Sequence, residues 1–289
     1  MIQDIYPNKL YNEYRPGKKP LPQSRVICFQ GKKVLVRKNE SAKILEFPAF
    51  SQLYPGMDPD EVCSPASKDM QGVVYAFAVD DTEYFLDVTD KIHSLEDFEY
   101  LEIRSVRGYS TNLYGMVVFT GTHLHQWYCQ TRYCGSCGSP LIHSESERAL
   151  HCPNCGKNIY PRLMPAVIVG VTNGDKLLVT KYKEGFKYYA LVAGFTEIGE
   201  TLEETVAREV KEETGLNVKN IRYYKSQPWG IVQDLLAGFY CDVDGSSEIK
   251  MDENELKLAQ WKSRSEIELQ PDSYSLTNEM MKMFKEGKI

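Results

Sequence analysis

Leu202, Val206 and Val210 recur every four residues, an interval that predicts one buried stripe along a helix. Thr201 and Glu204 stand where a capping box opens such a helix, and Gly215 stands where a left-handed residue closes it, so the helix covers about 201–214. Beside the stripe run Glu209, Glu212 and Glu213. Spaced i, i+3 and i+4, their carboxylates converge on one face, where each like-charge pair costs roughly 0.2–0.5 kcal/mol. A core wants apolar residues at that interval, and a solvated face wants mixed charge. A stripe of acids alone is a cost that a divalent cation offsets. Ahead of the helix, Tyr188–Ala193 reads as a short strand and Gly194–Glu200 as a loop.

The same reading organises the rest of the chain. Ala166–Val171 and Lys176–Thr180 are predicted strands joined by a hairpin at Asn173–Gly174. Further strands are expected near 219–225 and 234–242, and a last helix over about 275–286. The fold class is α/β. Residues 163–289 are expected to form an α/β/α sandwich with a mixed sheet. Residues 1–128 carry strand-like runs at Arg25–Phe29, Lys33–Val36, Val73–Val79 and Tyr84–Val88. A helix near 112–130 follows, with Tyr114, Val117, Val118, Leu124, Trp127 and Tyr128 on it and Gly121 inside it. This first part is expected to be a β-rich α+β domain without catalytic spacing, serving as structure or as one wall of a dimer.

Composition narrows the function. The chain has 289 residues, 42% of them hydrophobic, enough for two domains and a small module. Its 34 basic and 40 acidic residues leave a net charge of −6, which argues against broad nonspecific binding to nucleic acid or anionic membrane. The first twenty residues lack the apolar stretch of a signal peptide, and no run reaches the ~18 apolar residues of a membrane helix. A cytoplasmic location, where thiols stay reduced, is the expectation. Four of the eight cysteines form two C-x2-C pairs, Cys134 with Cys137 and Cys152 with Cys155, 14 residues apart. That spacing predicts a closed, structural Zn²⁺ site in a ribbon over 129–162, flanked by Gly135, Gly138 and Gly156. Cys28, Cys63, Cys129 and Cys241 read as small buried apolar residues. His93, His123, His125 and His143 show no ligand spacing with acids.

Gly194, Glu200, Arg208, Glu209, Glu212, Glu213 and Gly215 fit G-x5-E-x7-R-E-U-x-E-E-x-G-U at every fixed position, U being aliphatic. In this the chain resembles the Nudix hydrolases, which split a diphosphate joining a nucleoside to a second group. The resemblance implies that Glu209, Glu212 and Glu213 bind Mg²⁺ or Mn²⁺ and that Arg208 orients an acidic neighbour through a forked ion pair. A glutamate then takes a proton from the attacking water, a role open between Glu212 and Glu213. Ser226-Gln227-Pro228-Trp229, with a zinc ribbon upstream, resembles the NADH pyrophosphatase branch, whose longer motif is S-Q-P-W-P-F-P-x-S. Here Gly230, Ile231 and Val232 replace the Pro-Phe-Pro, and Asp234 replaces the final serine.

Carried over position by position, the branch implies Glu147, Tyr160, Gln227, Pro228, Trp229 and Thr277 at the substrate, and Glu255 and the Ala193 carbonyl at the catalytic metal. It implies a homodimer that cleaves NAD(H) to AMP and nicotinamide mononucleotide, with NAD-capped RNA 5′ ends as a further substrate. The alternatives are another nucleoside diphosphate derivative, such as ADP-ribose or a dinucleoside polyphosphate, or a zinc-ribbon binding module on an inactive Nudix fold.

Overall fold

The chain divides into two units, one of residues 4–162 with 230–232, the other of residues 1–3 with 163–229 and 233–289. The computed structural model describes residues 1–62, 72–89, 91–109 and 111–289; Cys63 lies outside them. Among the described residues no helix is long and apolar enough to cross a membrane.

The second of these units is a mixed sheet between helices. Its strands are β1 (Met164–Asn173), β2 (Lys176–Tyr182), β3 (Val192–Phe195), β4 (Asn217–Trp229), β5 (Asp234–Asp244) and β6 (Leu256–Ser263), and its two α-helices are α1 (Leu202–Thr214) and α2 (Leu276–Lys285). The order across the sheet is β4-β5-β1-β2-β6, with β3 paired to β1; β1 and β5 run parallel and the other neighbours antiparallel. Alternation along β1 sorts its two faces. Val167, Val169 and Val171 pack with Val206 and Val210 of α1, while Ile168 packs with Leu276, Met280, Met281 and Phe284 around α2. These side chains are fully or almost fully buried, each worth about 1.5–3 kcal/mol. Gly170 lies on the α2 face, where a Cβ would stand 2.6 Å from the Tyr240 ring.

The predicted hairpin, helices and sandwich are all present. From the sequence no strand is expected at β6, and β4 runs past its expected end near residue 225, so Ser226–Trp229 is strand too, paired with Ala237 through Asp234. β4 is an edge strand, which is why Pro228, lacking an N–H, is tolerated there.

Among its described residues, the other unit holds two four-stranded sheets, a helix over Asn112–Gln130 and the three short strands of the ribbon. The expected strand Arg25–Phe29 breaks at Cys28. Arg25–Ile27 pairs parallel with Thr82–Asp87, and Phe29–Gln30 pairs with Val34–Lys33 in a different sheet. Gly121 permits close packing of the long helix, since a Cβ there would lie 3.0 Å from Ile27 Cδ1.

Candidate active site

The acidic helix is built as its sequence dictates. Thr201 Oγ1 accepts from the Glu204 amide at 3.2 Å, Glu204 accepts from the Thr201 amide at 2.8 Å, and Gly215 closes the helix at φ 73°. Arg208 then gathers the carboxylates. Its Nε and Nη2 grip both oxygens of Glu200 at 2.6 and 3.0 Å, its Nη1 donates to Glu209 at 2.7 Å and Glu212 at 2.9 Å, and Nη2 also donates to the Phe195 carbonyl. The guanidinium fork pulls Glu200 down to about 2. Glu209 lies against Gly194, where a Cβ would come within 1.9 Å of its carboxyl carbon. Gly194→Ala is therefore expected to displace Glu209 and cut turnover at least ~100-fold, a loss on the scale of an acid–base term, while the melting temperature changes little. An alanine variant of full activity would sink this placement.

Glu213 is the exception among the acids. It is only 2% exposed, and among the described residues neither carboxylate oxygen has a hydrogen-bond partner of normal geometry. Burial pushes its pKa up to about 8, ahead of the opposing pull of the Ala193 amide and with help from the charges of Glu209, Glu255 and Asp252. Glu209 is raised too, by burial ahead of the opposing pull of Arg208. Glu212 is 60% exposed. A buried carboxylate pressed by other acids is a donor set that a cation would compensate. Oxygen donors of this kind suit a hard divalent ion. The residues thus fit Mg²⁺ or Mn²⁺.

At the ribbon the four cysteines do come together. Cys134 Sγ and Cys155 Sγ are 3.6 Å apart, Cys137 Sγ and Cys152 Sγ 3.5 Å, and all four sulfurs lie within 4.8 Å of one another. Two matching knuckles present them. The amide of Gly138 bonds the Cys134 carbonyl and that of Gly156 the Cys152 carbonyl, with φ 72° and 75° at the two glycines. Bonds of ~2.3 Å in a tetrahedron require sulfurs about 3.8 Å apart, close to what is seen. On the same ribbon, Tyr160 Oη donates to Glu147 Oε1 at 2.9 Å, and both side chains are exposed.

Gln227 is fully buried, and both ends of its amide are engaged inside its own unit. Nε2 donates to the Tyr274 carbonyl at 2.7 Å and to Gln3, and Oε1 accepts from the Leu276 amide at 2.7 Å. Pro228 is exposed and Trp229 half-buried; Thr277 is half-buried in the first turn of α2. The departure at Gly230 has a steric cause. A Cβ there would lie 2.0 Å from the Phe119 carbonyl oxygen, so the proline of the resembled motif does not fit this backbone. Asp234, paired in register with Trp229, is buried with Oδ1 unpartnered, and burial pushes it up to about 6.

Residues 162–283 match the NUDIX domain model, and residues 130–160 match the NADH pyrophosphatase zinc ribbon domain. The chain carries a Nudix domain behind an NADH pyrophosphatase zinc ribbon. It is 40% identical over 154 residues to the NAD-capped RNA hydrolase NudC of Citrobacter koseri, and 41% identical over 155 residues to that of Klebsiella pneumoniae. Each match covers 52% of this chain and 59% of the relative, so the chain spans less than two thirds of the relatives it matches. A solved NUDIX hydrolase from Nitrosomonas europaea aligns with a TM-score of 0.47 and 21% identity, over 54% of this chain and 92% of its own.

The Nudix domain also enlists residues that the sequence reading left out. Tyr182, at the end of β2, has its phenol raised by burial and then by Glu213, Glu255 and Glu209. Asp252 donates its amide to the Glu213 carbonyl at 2.9 Å and adds charge at the Glu213 carboxylate. Neither belongs to a spaced motif. The one available signal for Asp252 was the acid-rich run Asp252-Glu253-Asn254-Glu255.

Proposed function

We propose that the chain uses Mg²⁺ or Mn²⁺ to hydrolyse the diphosphate bond of a NAD-type dinucleotide, either free NAD(H) or the NAD cap of an RNA 5′ end. The products from NAD(H) are AMP and nicotinamide mononucleotide. The observation that carries this reading is the buried, unpartnered Glu213 beside Glu209 on the Nudix helix. Support comes also from the relatives, which are named NAD-capped RNA hydrolases.

Glu209, Glu212 and Glu213, with Glu255 and the Ala193 carbonyl, are the groups we assign to the cation. A cation held there would neutralise diphosphate charge and lower the pKa of water. Arg208 holds Glu209 and Glu212 in place, and the proton of the attacking water passes to Glu212 or Glu213. Pro228 and Trp229 offer a flat face to one base. Glu147 and Tyr160 contact the dinucleotide from the ribbon, Gln227 fixes the end of β4 to the start of α2, and Thr277 lies near the nucleotide. The four cysteines hold a structural Zn²⁺. In the same proposal the protein is a cytoplasmic homodimer.

The deciding experiment is a hydrolysis panel of NADH, NAD⁺, ADP-ribose and NAD-capped RNA with Mg²⁺ or Mn²⁺. Cleavage of ADP-ribose but not NADH would move the assignment to another diphosphate, an outcome that the loss of an aromatic ring at Ile231 makes worth testing. Base stacking is worth roughly 1–3 kcal/mol. Trp229→Ala is accordingly expected to lower kcat/KM for NADH about tenfold to a hundredfold, and to do much less to a diphosphate lacking that base. Equal losses on both substrates would remove Trp229 from recognition.

A further inference from the structure

We propose that Cys28, Asp87 and His93 form a second metal site, selective for a borderline-soft divalent cation of the Zn²⁺ class and separate from both the ribbon and the Nudix helix. Their ligand atoms lie within 4.8 Å of one another. They come from three separate segments: the break between Arg25–Ile27 and Phe29–Gln30, the last residue of strand Thr82–Asp87, and the loop beyond it. Cys28 and Asp87 are each 3% exposed, and the His93 side chain 11%.

The surroundings make this trio conspicuous. Cys28 belongs to an apolar cluster with Val26, Leu35, Phe50, Leu53 and Phe85. A thiol, a carboxylate and an imidazole drawn together in such a core are costly unless something compensates them. Part of the compensation is visible. Asp87 Oδ2 accepts from Tyr54 Oη at 2.7 Å and lies 2.5 Å from His93 Nε2, while Oδ1 accepts from the amide and hydroxyl of Thr89. The Cys28 thiol is the group that this network leaves aside.

A divalent ion completes the set. One thiolate, one carboxylate and one neutral imidazole sum with it to zero net charge, the condition that an apolar core favours. The donor types, sulfur, nitrogen and oxygen, are those that zinc takes. On binding, Cys28 loses its proton to solvent, and His93 presents as a lone pair the nitrogen now facing Asp87. That nitrogen and Asp87 Oδ2 must part from 2.5 Å to ~3.4 Å to admit an ion between them. His93 lies outside any strand, so the shift breaks no ladder bond. Tyr54 Oη, which donates to Asp87 Oδ2 at 2.7 Å, borders the site.

The test is zinc stoichiometry of the intact protein by mass spectrometry and elemental analysis, in buffered micromolar Zn²⁺ with excess Mg²⁺ to occupy the acidic helix. Two zinc ions per chain are expected in the wild type. Cys28→Ser and His93→Asn should each leave one, with affinity at the lost site down at least ~100-fold. His93→Asn, at the rim of the cluster, guards against a failure of Cys28→Ser to fold. A wild-type chain with one zinc, or a second zinc that survives both variants or leaves only with Glu213→Gln, would make the trio a hydrogen-bonded strut and overturn the site.

Discussion

Glu213→Gln is expected to lower turnover at least ~100-fold and yet to raise the melting temperature of the chain in magnesium-free buffer at pH 8–9. Both effects follow from one carboxylate. Its pKa stands at about 8 in the fold against about 4.3 in an unfolded chain. The folded state therefore binds more protons than the unfolded state between those values, and stability falls as pH rises through that window. Below about pH 4 the penalty is absent, and above about pH 8 it is complete and flat, on the order of a few kcal/mol. Glutamine removes the charge, so the variant gains most at alkaline pH and nothing at the acid end.

Mg²⁺ should invert the comparison. A cation that binds the folded state alone stabilises it by mass action, and the variant has lost part of the set that holds it. Thermal melts of the wild type and Glu213→Gln, at pH 5 and pH 8.5, with and without Mg²⁺, check this alongside kcat. Glu212→Gln is the useful contrast. Glu212 is 60% exposed and bonded to Arg208, so its loss should leave stability nearly unchanged at either pH while turnover drops at least ~100-fold. Wild-type rates in both variants at saturating Mg²⁺ would end the assignment of the helix.

What was readable in advance divides by range. The acidic helix is local: its cap, its stripe and its closing glycine lie within fifteen residues, and periodicity alone set its limits. The cysteine knuckles are local twice over. Long-range facts left no such trace. Nothing in Glu209 or Gly194 announces that a Cβ at the latter would sit on the carboxyl of the former. Gln227 reads as a polar residue in a motif, yet its amide is spent on Tyr274, Leu276 and Gln3, far away along the chain. Asp87 lies six residues before His93, no helical interval, and Cys28 joins the pair only because Arg25–Ile27 is paired with the strand that ends at Asp87. The strand break at Cys28 was hidden for the same reason: one arginine followed by four apolar residues does not reveal that the two halves of the run join different sheets.

The ribbon offers the second large effect, and here burial and ligation can be told apart. Cys152→Ser is expected to give insoluble or partly unfolded protein. The ribbon's strands, Ile142–His143, Leu150–His151 and Asn158–Ile159, are two residues each, far too little to fold on apolar burial alone. Structural zinc contributes about 10–16 kcal/mol in small zinc-bound peptides, so the loss of one thiolate removes more than such a sheet can replace. Cys152 is also fully buried, and a buried hydroxyl without a partner would by itself cost roughly 1–3 kcal/mol. Cys137 separates the two causes, because it is exposed. If the metal is what matters, Cys137→Ser should fail as badly as Cys152→Ser, with zinc lost and residues 129–162 open to proteolysis. If burial is what matters, Cys137→Ser should stay soluble with its ribbon intact. Freshly purified wild type without zinc, or a stable Cys137→Ser protein with no metal, would refute the zinc reading.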